Sequence, residues 1–144
     1  MINTTSLAYM GDAVYEVAVR RKLIDDGFEN VRKLHKEAVK YVSAEGQSAA
    51  LKAMTDGFLT EDELKLVKRA RNHKTSSMPR NADPRKYKLA TGFEALIGYL
   101  YLYGDEARLQ EVISKAIDII GNENGTDGNG AVDIPGNENG GTDE

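Results

Sequence analysis

Two carboxylates and one basic segment hold the residues most able to do chemistry in this sequence. Asp12 lies in LAYMGDAVYEVAV, a mainly apolar run. A charge there needs water or a partner, because burying an isolated carboxylate is costly. Asp12, Glu16 and Arg20 fall at i, i+4 and i+8, so a solvated stripe with a weak Glu16–Arg20 pair fits as well as a metal or catalytic role. Glu94 is harder to place on a solvated face. It is the only carboxylate between Asp83 and Asp105, in the strongly apolar stretch LATGFEALIGYLYLY. Thr91, Glu94 and Gly98 share one narrow helical facet. Gly92 and Gly98 each give up about 1 kcal/mol of helix propensity, which suits a cleft or a close helix crossing. A structural Glu paired with a buried Arg or Lys would produce the same pattern.

The basic segment runs from Lys65 to Lys88, with nine Lys and Arg against the single acid Asp83. Its centre mixes the cations Arg71, Lys74 and Arg80 with the short-reach donors Asn72, His73, Thr75, Ser76 and Ser77. Cations interleaved with amide and hydroxyl donors suit a sugar-phosphate backbone better than a merely solvated face. Duplex RNA is read in this way, by shape, through phosphates and 2′-hydroxyls. His73, beside three cations, reads as one more donor rather than a general base. Two carboxylates from different helices could hold Mg2+, with Mn2+ able to substitute, since all-oxygen ligation favours these ions over zinc. Such an ion stabilises charge growing on a phosphodiester. Spacing permits Asp12 and Glu94 to meet but does not require it.

The elements that must position these groups read as helices, and no segment shows sustained strand alternation. The first helix spans about Leu7 to Asp25, with Leu7, Met10, Val14, Val17 and Ile24 near helical spacing and Gly27 as its stop. Asn30 can cap VRKLHKEAVKYV, with Val31, Leu34, Ala38 and Val42 on one face, and Ser43 can cap the continuation AEGQSAALKAM. Thr60 and Glu63 have capping-box spacing at the start of a helix reaching about Arg71. A long apolar helix follows from about Arg85 to Tyr103, closed by Gly104. Asp105 caps the last, whose stripe is Leu109, Val112, Ile113, Ala116 and Ile120. Short connections between these segments predict an all-α domain of five to seven helices.

At 144 residues the chain has room for one compact domain. Residues 122–144 are rich in Gly, Asn and acid, and carry six of the 23 acidic residues but none of the 19 basic ones. This composition predicts a disordered acidic tail, because it buries too little apolar surface to offset backbone entropy. The expected domain, 1–121, therefore has a formal charge of +2 where the whole chain has −4. No apolar run reaches the roughly 20 residues of a membrane span. The absence of Cys excludes disulfide and thiolate-metal frameworks, and two His are too few for a zinc cluster. A reducing cytoplasm is the default location.

LAYMGDAVYEVAV at 7–19 resembles the ribonuclease III motif, in which a helix carries Leu-Gly-Asp-Ala-Val or a close variant. FEALIGYLYL at 93–102 is similar to the family's second motif, where a Glu opens Glu-Ala-Leu-Ile-Gly. In this order and about 80 residues apart the two are jointly specific. The resemblance covers essentially all of 1–120 and is closest to the Mini-III subgroup, which lacks a C-terminal double-stranded-RNA-binding domain. YVSAEGQ at 41–47 and RNHKTSSMPRN at 71–81 also look like that subgroup.

The resemblance implies a helical endonuclease domain acting as a homodimer on double-stranded RNA with magnesium, leaving 5′-phosphate and 3′-hydroxyl ends. It makes Asp12 and Glu94 the metal-binding catalytic carboxylates and the loop around Arg71 to Ser77 the RNA grip. It further implies maturation of the large-subunit (23S) ribosomal RNA precursor, aided by a large-subunit ribosomal protein. Other family members carry acids where this chain has Ala8 and Thr91, a reduction the subgroup shares. Thr91 can still orient water through its hydroxyl. The alternatives are a non-catalytic RNA-binding module of the same fold and a purely structural helical adaptor.

Overall fold

A computed structural model describes residues 3–73 and 78–125. Six helices form the described residues: α1 (Thr4–Asp25), α2 (Val31–Val42), α3 (Ala44–Met54), α4 (Glu61–Arg71), α5 (Pro84–Tyr103) and α6 (Glu106–Gly125). No strand occurs among them. Of the tail expected to be disordered, 122–144, residues 122–125 continue α6 as helix, and 126–144 lie outside the described residues.

Local chemistry sets most helix ends. The Asn30 carboxamide accepts from the Arg32 and Lys33 amides, and Ser43 Oγ accepts from the Gly46 amide. Thr60 and Glu63 complete their capping box in both directions. Asp105 Oδ1 accepts from the Ala107 amide at the start of α6. Two helices begin earlier than expected. Asn3 caps α1 through the Ser6 amide, and Asp83 caps α5 ahead of Pro84, whose missing N–H costs nothing in a first turn.

The central helix is α5, with α1, α3, α4 and α6 all packed on it. Its buried residues Phe93, Leu96, Ile97 and Leu100 meet Leu7, Tyr15 and Val19 of α1, Leu51 and Met54 of α3, and the α6 stripe in one core. All five expected stripe residues of α6 are buried. Tyr15 and Phe93 meet edge-to-face, their ring centroids 4.9 Å apart.

The face of α1 differs from the expected one. Val17 is 68% exposed and Ile24 59%, whereas Ala8, Gly11, Tyr15, Val19 and Leu23 are buried beside Leu7. Apolar residues lie on every side of this helix, interleaved with its charges, so periodicity could not choose its inward face. A small residue decided it, because Gly11 lets α1 lie against the α5 backbone. Val31 of α2 is likewise outside, 78% exposed, although its spacing puts it on the face of Ala38.

Candidate active site

Two glycines bring the carboxylates together. A β-carbon at Gly11 would overlap the Glu94 carbonyl oxygen, and one at Gly98 would overlap the Leu7 carbonyl oxygen. The α1 and α5 backbones therefore touch, as only glycine permits on both sides of such a crossing. Asp12 follows Gly11, and Glu94 precedes Gly98 by one turn, so both side chains emerge at the crossing. They line one pocket of about 190 Å³, with Thr4, Thr5, Ala8 and Tyr9 from α1, Ala70, Arg71 and His73 at the end of α4, and Tyr87, Lys88 and Thr91 from α5.

The electrostatics of the pair are unfavourable as they stand. Burial pushes the Glu94 carboxyl up to about 8, and the Asp12 charge beside it pushes in the same direction, with a smaller push from Glu16. The Gln47 amide opposes them by hydrogen bonding. No Arg or Lys pairs with Glu94 among the described residues, so the structural ion pair open from the sequence does not form there. Glu16 and Arg20 do form their expected helical pair, at 3.2 Å, with Asp12 left to the pocket.

Two converging oxygen donors, one of them made costly to ionise by burial and by the charge of the other, fit a hard divalent cation. No group of three acidic or His side chains able to hold a metal occurs among the described residues, so Asp12 and Glu94 are the carboxylates available for one. Thr91 donates its hydroxyl proton to the Tyr87 carbonyl at 3.0 Å, which leaves its oxygen only an acceptor toward the pocket.

Of the basic segment, Arg71 and His73 reach the pocket wall, while Asn72 is exposed at the end of α4. Arg80 is exposed in the turn before α5 and does not line the pocket. Lys74, Thr75, Ser76 and Ser77 lie outside the described residues. Sequence reasoning passed over Tyr9, Tyr87 and Lys88 as wall residues and Gln47 as the neighbour of Glu94. Only Gln47 carries a signal that could have found it, an amide on the otherwise small and apolar inner face of α3.

Residues 5–105 match the ribonuclease III domain family. The chain is 48% identical to the Mini-ribonuclease 3 of Symbiobacterium thermophilum over 115 residues, 80% of this chain and 88% of that protein. It is 43% identical to the Mini-ribonuclease 3 of Enterococcus faecalis, covering 85% of this chain and 94% of the relative. A crystal structure of a Fusobacterium nucleatum protein superposes with a TM-score of 0.71 at 33% identity, covering 81% of this chain and 92% of that one.

Proposed function

The chain belongs to the ribonuclease III family, in its Mini-III subgroup, and on that premise we propose that it is an endoribonuclease cleaving double-stranded RNA. One observation carries the reading. The Gly11–Gly98 crossing delivers two unpaired carboxylates, Asp12 and Glu94, to a pocket whose other wall carries Arg71 and Lys88. A cationic wall beside an anionic floor suits a phosphodiester whose backbone is held by one and whose reacting phosphate is presented to the other.

Asp12 and Glu94 would hold Mg2+, or Mn2+ in its place, which supplies Lewis-acid stabilisation of the phosphate and activation of water. The protein's own part is positional. Arg71 and His73 direct donors at the RNA backbone, and Asn72, Lys74, Thr75, Ser76, Ser77 and Arg80 extend that grip. The Thr91 oxygen, free to accept, orients water. Domain limits at 1–121 and 122–144 belong to the same proposal.

A homodimer gives one pocket for each strand of a duplex. Tyr9, Ala13, Val17 and Ile24 share one exposed face of α1 next to the pocket with the Glu16–Arg20 pair, a mixed apolar and charged strip of the kind a second copy covers. A monomer in sedimentation equilibrium at micromolar concentration would remove this part. The 23S ribosomal RNA precursor as substrate, a large-subunit ribosomal protein as helper and a cytoplasmic location rest on the subgroup resemblance. Among the described residues no helix is long and apolar enough to cross a membrane.

The test is cleavage of long duplex RNA with Mg2+ by wild type, Asp12→Asn and Glu94→Gln. Both variants are expected to lose about 1000-fold in rate, as loss of an ion supplying several kcal/mol requires, while still binding RNA. Undiminished cleavage in either variant would dismiss that residue, and RNA binding without cleavage by wild type would leave a binding module.

A further inference from the structure

Away from the pocket, α2 carries a second strip of positive charge. Arg32, Lys33, Lys36 and Lys40 are all exposed. At 3.6 residues per turn they fall within about a third of the helix circumference, opposite Leu34 and Ala38, which face the core. Glu37 is the only acid of the helix, and it pairs with Lys40 at 3.0 Å. Arg32, Lys33 and Lys36 form no ion pair with any described residue. No residue of α2 lines the pocket that holds Asp12 and Glu94.

A polyanion belonging to the same chain starts beside this helix. The last turns of α6 run past the C-terminal end of α2, where a β-carbon at Gly121 would lie 3.4 Å from the hydroxyl of Tyr41, the residue after Lys40. The chain leaves α6 after Gly125, roughly 6 Å further along its axis. Residues 126–144 hold the acids Asp127, Asp133, Glu138, Asp143 and Glu144, with no Lys or Arg among them. Their full extension is roughly 60 Å, whereas α2 is roughly 18 Å long, so the segment reaches every cation of the strip.

We infer that residues 126–144 dock on the outer face of α2, their carboxylates against Arg32, Lys33, Lys36 and Lys40. Single exposed ion pairs contribute little, but here several act together. A tethered partner also works at an effective concentration in the millimolar range. Covered in this way, α2 offers RNA no second basic surface in competition with Arg71 and Lys88. The docking does not depend on the nuclease reading; its consequence for RNA rests on that reading.

The test uses the full chain, which has no Cys, so Asn137→Cys takes a single nitroxide and leaves every acid in place. At low salt the label should cause a loss of backbone amide NMR intensity centred on Arg32 to Lys40. About 0.5 M salt, which shortens the Debye length to a few ångströms, should restore that intensity. Restoration is also expected when the five acids become Asn and Gln, or when the four α2 cations become Gln. If the α2 variant fails to fold, the tail variant decides. Duplex RNA added in EDTA should leave the α2 amides of wild type in place and shift them once the tail is neutralised. An intensity loss absent from α2, centred instead on Arg71 and Lys88, or passed equally to a second, unlabelled copy would overturn the docking. Wild-type α2 amides that shift with RNA would show the face open to nucleic acid and overturn the shielding.

Discussion

Glu63 and Glu94 are both drawn out of solvent in one small domain, yet their carboxyls move in opposite directions. Glu63 starts α4 and accepts two hydrogen bonds from Arg108 of α6, at 2.7 and 2.9 Å, and a third from the Thr60 amide. The Arg108 guanidinium beside it, with that amide, holds its carboxyl below the usual range despite burial. Arg108 is spent as fully, on the Phe58 carbonyl, on Glu111 and over the Phe58 ring. Glu94 pairs with no cation among the described residues; burial raises its carboxyl, and the Asp12 charge raises it further. The α4–α6 corner resolves its charges internally and has nothing left to offer a ligand. The α1–α5 crossing leaves its charges unresolved, which is what a site reserved for an external cation looks like.

The widest gap between the two regions should open on adding one methyl group to the crossing. Gly11→Ala must push α1 off the Glu94 carbonyl. We expect a loss of at least about 3 kcal/mol, or roughly 10 °C in melting temperature, together with cleavage. Calorimetry showing an unchanged melt would mean that the backbones do not touch. Glu63→Gln should cost about 2 kcal/mol at neutral pH by removing a charged hydrogen-bond acceptor, with cleavage kept. Because the folded-state value of Glu63 is depressed, its contribution is complete above the unfolded value and fades as pH falls through the folded one. Urea unfolding from pH 7 down to pH 3 should therefore show wild type and Glu63→Gln converging.

Glu94 predicts the reverse slope. With EDTA present, wild type should lose stability relative to Glu94→Gln as pH climbs from about 4.5, the ordinary Glu value, to about 8, and level off beyond. Mg2+ should restore the loss in wild type only. A wild type and variant that stay parallel across this range would put Glu94 in the same class as Glu63. The smallest effect belongs to the grip: Arg71→Ala with Lys74→Ala should weaken duplex binding about tenfold and flatten the log–log salt slope by about one for each lost phosphate contact. Unchanged affinity and slope would take the basic wall out of RNA binding.

Nearly all the helices follow from short-range chemistry that can be read in order along the chain. Asn30, Ser43, Thr60 and Asp105 cap where the amides two or three residues on require it, and α6 buries its whole expected stripe. The types of the two carboxylates and the density of cations near Arg71 are equally plain. The inward face of α1 was not, because Val17 and Ile24 are as apolar as Val19 and Leu23, and a helix with apolar residues on every side has no preferred one. Its orientation was set by the α5 backbone, which at contact distance accepts only a glycine, Gly11. The same contact sets Asp12 against Glu94 from about 80 residues away, and a separate meeting of α4 with α6 pairs Glu63 with Arg108. Caps and stripes are written in neighbours a turn apart, whereas these meetings depend on how closely two helices approach, and that distance belongs to the packed molecule.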